Sequence, residues 1–149
     1  MGINRPSHYA AFGSREELFR KALDRYAEQQ RGFLEDALKE PVARTVTDRL
    51  LAGAINVVTG RRNPKGCLMV QGALVSSEGA QALRNELISR RVARETAIRE
   101  RFERAKSEGD LPIDSQPADL ARYVVALLQG IAVQALAVQP EKNCSGLWR

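Results

Sequence analysis

Side chains that can hydrogen-bond to nucleic acid are concentrated near the start of this 149-residue chain. A helix that enters the major groove by its N-terminal end offers its first residues to base edges and its later residues to phosphates. Arg5 can pair bidentately with guanine, and Asn4 and Ser7 can bond to either bases or phosphates. His8 can reach either a base or a phosphate. The alternative is that His8 faces solvent and has no function. The segment is therefore a candidate nucleic-acid contact, provided that it is helical.

Two local signals predict the elements that position these side chains. Asn4 is a good N-cap for a short helix over about 4–12, and Gly13 can end that helix in the left-handed conformation. Ser14 and Glu17 then form a capping box, three residues apart and just before an apolar run. Because so short a helix is unstable alone in water, we expect neighbouring helices to hold it.

The same stretch resembles the DNA-reading end of the tetracycline-repressor (TetR/AcrR) family of transcriptional regulators. The resemblance rests on three short motifs, which are Gly2-Ile3-Asn4, Tyr9-Ala-Ala-Phe12 and Arg15-Glu-Glu-Leu18. It implies that Tyr9 and Arg15 bind backbone phosphates and that Phe12 anchors the core of the DNA-binding domain. Together with the hydrogen-bonding residues above, it predicts the following DNA contacts: Asn4, Arg5, Pro6, Ser7, His8, Tyr9 and Arg15.

Members of this family carry two helices before this segment. They also carry a further helix after the last one that is predicted here, and that helix pairs across a dimer interface. We therefore interpret residues 1–38 as the remnant of a DNA-binding domain and residues 39–139 as a ligand-binding and dimerisation domain. Residues 140–149 are interpreted as an irregular tail. As an alternative, Met1 is an internal residue of a longer chain rather than its start.

Apolar spacing predicts an all-α protein. The resemblance implies a partial helix-turn-helix followed by a TetR-type C-terminal helical bundle. After the first segment, helices are predicted over about 15–38, 42–59, 67–75, 78–107 and 117–138. The segment 67–75 also has the length of a buried strand, but no partner strand is found elsewhere, so a short buried helix is favoured. The last helix carries more apolar surface than one core needs, which predicts a partner, and we expect a homodimer through the last helices.

The resemblance also implies a small-molecule pocket inside the bundle. Pockets between bundle helices are mostly apolar with few polar groups. By segment position alone, the candidate lining residues are Met69, Gln71, Leu74, Tyr123, Leu127 and Gln129. Each has the alternative role of an ordinary core or interface residue.

Catalytic and metal-binding patterns are missing from the sequence. His8 is the only histidine, and Cys67 and Cys144 are the only cysteines, so an ordinary structural zinc site within one chain is excluded. No phosphate-binding glycine loop is found, and neither a cofactor nor an enzymatic activity is predicted. Cys67 is interpreted as a small apolar core residue, and a disulfide to Cys144 is the alternative.

The net charge of +5 permits nucleic-acid binding without proving it. The richest basic stretch runs from Arg84 to Lys106, where arginines and glutamates alternate. We interpret it as a solvated helix face with i,i+4 ion pairs, and a second nucleic-acid surface is the alternative. The residues of this predicted face are Arg94, Glu95, Arg99, Glu100, Arg101, Glu103 and Arg104.

Two functions fit these observations. The first is a cytoplasmic regulator of the repressor type that binds double-stranded operator DNA as a homodimer and responds to an unknown small-molecule effector. The second is a ligand-binding and dimerisation module without DNA-binding activity of its own. The N-terminus lacks a secretory signal, and no apolar run has the length of a membrane span, so no membrane partner is predicted.

Overall fold

The computed structural model describes residue 13 and residues 15–60, 66–74 and 81–137. Within these residues the chain forms five α-helices and no strand, which confirms the all-α prediction. The helices are α1 (Arg15–Leu38), α2 (Ala43–Thr59), α3 (Leu68–Leu74), α4 (Gln81–Ser107) and α5 (Pro117–Ala137). All five agree with the predicted segments to within about one turn, and the short apolar segment is a helix rather than a strand. The predicted first helix over 4–12 and the tail lie outside the described residues.

At the start of α1, the glycine has the conformation that the sequence predicts for it. Gly13 has φ +72°, in the left-handed region that favours glycine. The Glu17 side chain folds back over it, since a Cβ added at Gly13 would lie only 1.7 Å from Glu17 Oε2. Ser14, the other half of the box, lies outside the described residues.

The turn that follows α4 terminates that helix, and a side chain of the same turn caps the start of α2. Gly109 has φ +82°, and the Asp110 N–H donates to the carbonyl oxygen of Ala105 at 2.9 Å, which closes α4. The Asp110 carboxylate accepts a hydrogen bond from the N–H of Ala43. Because the N-cap residue Val42 has no side-chain acceptor, this carboxylate supplies the cap from another part of the chain.

The helices pack around two buried apolar clusters. The first lies among the C-terminal end of α1, α2, the second half of α4 and the first half of α5, and it includes Val46, Leu50, Ile98 and Phe102. The second lies among the first half of α1, the end of α2, α3, the first half of α4 and the second half of α5. It includes Leu23, Cys67, Met69, Leu87 and Ala132. Cys67 is 7 % exposed with a free thiol, so its interpretation as a core residue is confirmed.

Arg101 corrects the interpretation of the basic stretch on α4. Arg99 does form the predicted i,i+4 pair with Glu103, at 3.4 Å. Arg101, in contrast, is 3 % exposed and makes no surface pair. Its guanidinium donates to the carbonyl oxygens of Glu40 and Pro41 at 2.7–3.1 Å. The reason is tertiary, because the turn between α1 and α2 lies against this side of α4 and presents carbonyls that no helix satisfies.

The last helix, α5, is long and apolar enough to pass a length-and-composition test for a membrane span, and among the described residues it is alone in this. The core helix of a soluble protein passes the same test. Six residues of α5 are buried against the other helices: Ala121, Val124, Val125, Leu128, Ala132 and Ala135. One side of α5 is therefore part of the core, and its opposite side is an exposed apolar face that is considered below.

Candidate ligand cavity

A cleft of about 400 Å³ opens between α1 and α4. Pockets that bind small molecules generally measure about 300–1,000 Å³, so the cleft is of ligand size. Its apolar wall comes from three helices and consists of Ala27, Leu34, Leu38, Met69, Ala93 and Ala97. Its polar groups are Gln30, Arg31, Glu35, Arg90 and Arg94.

Two smaller cavities adjoin the cleft. Each holds about 30 Å³, which is room for roughly one water molecule. One of them shares Gln30, Leu34 and Arg94 with the cleft, and it is also lined by Tyr26 and Cys67. The other shares Met69 and Arg94 with the cleft, and it also includes Gln129. Arg94 therefore lines all three spaces.

Two buried polar groups beside these cavities lack hydrogen-bond partners within the described part of the chain. They are Nε2 of Gln30, a residue only 6 % exposed, and the phenolic oxygen of Tyr26. Cys67, Gln30 and the backbone of Leu68 all lie close enough to Tyr26 to affect its pKa, but none of these contacts has the geometry of a hydrogen bond that satisfies the phenol. An unsatisfied buried donor costs about 1–3 kcal/mol of folding free energy. Such groups are candidates for contact with a ligand.

The environment of Tyr26 predicts a pH-dependent stability. Burial, and after it the neighbouring Cys67, raises the pKa of Tyr26 from 10.0 to about 12. Since the folded-state pKa lies above the unfolded one, the contribution of the protonated phenol to stability is complete below pH 10 and is lost as the pH rises through about 12. We expect the free energy of unfolding to fall more steeply over this range in the wild type than in Tyr26→Phe.

Urea unfolding followed by circular dichroism at a series of alkaline pH values measures this difference. Tyr123→Phe is the control, because Tyr123 lines neither the cleft nor the inner cavity beside Tyr26, and it should keep the steep fall of the wild type. Equal slopes for the wild type and Tyr26→Phe would contradict the prediction.

Ion pairs join α1 to α4 beside the cleft. Arg90 Nη2 pairs with Asp24 across the two helices and with Glu86 at 2.7 Å, and hydrogen bonding to Asp24 raises the pKa of Arg90 above its usual value. Arg20 pairs with Glu86 at 3.3 Å. On the cleft wall, Arg31 lies 4.0 Å from Glu35. Arg94 differs from these arginines because no carboxylate of the described residues pairs with it.

The structure brings together only some of the pocket residues that were proposed from sequence. Met69 is buried and Gln129 is partly buried, and both line the cavities around Arg94. Gln71 instead lies against Gly66, where an added Cβ would be 2.1 Å from Gln71 Nε2. The Leu74 side chain lies outside the described residues. As ligand contacts, all of these stay predictions.

Tyr123 and Leu127 lie on a different face of α5, away from these cavities. Tyr123 is 64 % exposed, and Leu127 is 37 % exposed and lines a separate apolar groove of about 360 Å³. The physical reason is the helical period, since these two residues and the buried stripe of α5 point in different directions. A role in ligand binding stays a prediction for both residues.

Sequence reasoning missed the polar cavity residues Tyr26, Gln30 and Arg94. A signal was present for Gln30, because it interrupts an apolar stripe that continues from Tyr26 to Phe33, Leu34 and Ala37 at helical spacing. No comparable signal distinguishes Arg94 from the other arginines of α4. Among the described residues, no group of three or more His, Cys, Asp or Glu side chains is placed to hold a metal ion.

The predicted DNA contacts cannot be placed in the same way. Six of them lie outside the described residues: Asn4, Arg5, Pro6, Ser7, His8 and Tyr9. Arg15 is the first residue of α1, but its side chain is likewise outside the description. Their assignment to DNA stays a prediction.

Comparison with known proteins agrees with this architecture. Residues 47–145 match the family model of the tetracyclin repressor-like C-terminal domain. The HTH-type transcriptional repressor ComR of Escherichia coli (strain K12) is 26 % identical over 136 residues, which cover 90 % of this chain. The chain spans 65 % of the length of ComR.

Two solved structures are similar in fold and in sequence. One is a cysteine mutant of the TetR family transcriptional regulator CifR, complexed with 26-bp double-strand operator DNA. It is 37 % identical with a TM-score of 0.83, over 93 % of this chain and 73 % of CifR. The other is a putative TetR transcriptional regulator from Rhodococcus sp. RHA1, 40 % identical with a TM-score of 0.66, over 93 % of this chain and 74 % of that one.

The part of the helical bundle that follows residue 46 thus matches the C-terminal domain of tetracyclin repressor-like proteins, and α1 packs against it. The chain belongs to the TetR family of transcriptional regulators. The similar proteins named above are transcriptional regulators and not enzymes.

Proposed function

We propose that the protein is a DNA-binding transcriptional regulator of the repressor type, controlled by a small-molecule effector. The observation that carries the proposal is the similarity, at 37 % identity over 93 % of the chain, to a regulator solved on operator DNA. We further propose that it works in the cytoplasm, as a homodimer on double-stranded DNA and without enzymatic activity.

Operator recognition is assigned to the N-terminal segment. Residues 1–38 are proposed to belong to the DNA-binding domain, residues 39–139 to the ligand-binding and dimerisation domain, and residues 140–149 to a tail. Arg5 would read a guanine, while Tyr9 and Arg15 would bind phosphates. The left-handed Gly13 and the folded-back Glu17 support this assignment, because they are the turn features that the motif requires.

Control by an effector is supported by the position of α1. This helix begins two residues after Gly13, and its second half forms one wall of the cleft through Gln30, Arg31 and Leu34. A ligand in the cleft would therefore touch the helix that leads from the DNA-binding segment. The ligand would change operator affinity if it bound more tightly to the protein with α1 in one position than in another. A ligand with equal affinity for both conformations would not change their populations.

Homodimerisation is supported by the exposed apolar face of α5. Leu120, Tyr123 and Leu127 follow one another at helical spacing and are 36 %, 64 % and 37 % exposed. Large contiguous apolar surfaces on soluble proteins commonly mark contacts with a partner. A two-fold contact through this face would bring two DNA-binding segments together, as a two-fold symmetric operator requires.

Selection of duplexes from a random library on the immobilised protein tests the proposal, and fluorescence anisotropy then measures the affinity for the selected duplex. We expect a two-fold symmetric site whose affinity falls with salt, because phosphate contacts release counterions. Arg5→Ala should weaken binding by about tenfold and relax the preference at one base pair in each half-site.

Arg99→Ala is the control, since Arg99 is an exposed arginine of α4 outside the predicted DNA-binding segment, and it should bind the duplex as the wild type does. Failure of folded protein to retain any duplex at low salt would overturn the proposal. It would favour instead the ligand-binding module without DNA-binding activity.

A further inference from the structure

The cleft between α1 and α4 contains donors of hydrogen bonds that nothing in the described protein accepts. The Gln30 side chain is 6 % exposed, and its Nε2 has no partner. It lines both the cleft and the inner cavity next to Tyr26. Because an unpartnered buried amide costs folding free energy, a sequence without a use for it would favour an apolar residue here. The amide, whose side chain also lies near the Tyr26 phenol, is thus available to an acceptor in the cavity.

Arg94 provides a positive charge at the same place. It lines the cleft and both inner cavities, and no described carboxylate pairs with it. The other two arginines of the cleft are already engaged, Arg31 with Glu35 and Arg90 with Asp24 and Glu86. An arginine carries donors only and does not lose its charge in proteins. Its natural complement is an anionic acceptor supplied from outside the protein.

Apart from the ion-paired Arg31, Glu35 and Arg90, the remainder of the cleft is apolar and specifies the rest of the ligand. Leu34, Leu38 and Met69 line it together with three alanines of α1 and α4. The alanines leave space, and the volume of about 400 Å³ suits a molecule with a chain or ring of moderate size. A doubly charged phosphate fits less well, because only one guanidinium is unpaired and the Glu35 carboxylate also lines the cleft.

We propose that the effector is a small apolar carboxylic acid, whose carboxylate binds Arg94 and Gln30 Nε2 while its hydrocarbon part fills the cleft. This inference rests on the proposed function in treating the cleft as the effector site. It adds the chemical class of the effector and the two residues that select it. A carboxylate is planar and singly charged, and it can accept from a guanidinium and an amide at the same time.

Isothermal titration calorimetry of the full chain with octanoate, and with octanamide as the uncharged probe of equal size, tests the proposal. We expect octanoate to bind at least about tenfold more tightly than octanamide, since hydrogen bonds between charged partners are the stronger ones. Arg94→Gln should remove this preference and leave octanamide binding unchanged. Arg104→Gln is the matched control, because Arg104 is an exposed arginine of α4 outside the cleft, and it should behave as the wild type.

Gln30→Leu separates recognition from a merely structural role. It should weaken octanoate binding and at the same time raise the melting temperature, because it removes an unsatisfied buried amide. A structural glutamine would instead lower the melting temperature when it is replaced. Equal affinity for the two probes, no binding of octanoate, or an octanoate preference that survives in Arg94→Gln would each overturn the proposal.

The calorimetry needs no DNA, so its failure is distinguishable from failure of the proposed function. Octanoate binding that depends on Arg94, without any effect on the affinity for the selected duplex, would support the ligand site and contradict effector control. Duplex binding by a protein that does not distinguish octanoate from octanamide would support the regulator and overturn the ligand class.

Discussion

Replacing Arg101 by alanine is expected to lower the free energy of unfolding by about 3 kcal/mol, because it removes three part-buried hydrogen bonds that a charged side chain donates. Arg101 is 3 % exposed and donates three hydrogen bonds to the carbonyl oxygens of Glu40 and Pro41. These carbonyls lie in the turn that ends α1 and leads into α2. Arg101 therefore attaches the end of α1 to α4, and α1 is the helix that forms a wall of the cleft.

Urea unfolding monitored by circular dichroism measures this loss. Arg101→Lys keeps the charge but not the fork of parallel donors, so we expect an intermediate loss. Arg104→Ala removes an exposed arginine three residues further along α4 and should change the stability by less than about 0.5 kcal/mol. A loss below about 1 kcal/mol in Arg101→Ala would mean that other groups satisfy the turn.

Replacing Leu127 by arginine is expected to weaken the proposed dimer by about 100-fold, because it places a charge where an apolar contact excludes water. Leu127 lies on the exposed apolar face of α5. It also lines the apolar groove of about 360 Å³ between this helix and the end of α2, next to Val58 and Ile131. Sedimentation equilibrium over a range of protein concentrations measures the dimer dissociation constant.

Ile113→Arg is the control, because Ile113 is 86 % exposed but lies in the turn before α5, outside the face. It should dimerise as the wild type does. Leu127→Arg should also lose affinity for the selected duplex while it keeps octanoate binding, since Leu127 does not line the cleft. A dimer that is unaffected by Leu127→Arg would exclude this face as the interface.

The helices of the described chain and most of their ends follow from local sequence, although the cap of α2 comes from Asp110. The left-handed glycines at 13 and 109 mark the start of α1 and the end of α4, because few other residues adopt positive φ. The apolar spacing within each segment identifies the face that is buried, and Cys67 behaves as its residue type predicts. These features depend on neighbours along the chain, so the sequence alone contains the necessary information.

The candidate site was only partly predictable, for a reason that Gln30, Arg94 and Arg101 illustrate. Periodicity assigns a polar residue to a helix face but does not tell which other helix covers it. Arg99 and Arg101 belong to the same basic stretch, yet one makes a surface ion pair and the other is buried beneath the α1–α2 turn. The pocket residues proposed by segment position separated for the same reason, with Met69 in the cleft and Tyr123 in solvent.

The sequence by itself determined the all-α class, the helix limits and the family to which the chain belongs. Only the tertiary structure decided that α1 and α4 enclose a cleft and that Arg94 stands in it without a carboxylate partner. It also decided that Asp110 caps α2 across 67 residues of sequence. Helix formation is governed by interactions within a few residues, whereas the burial and pairing of a polar side chain depend on segments that are distant in the chain.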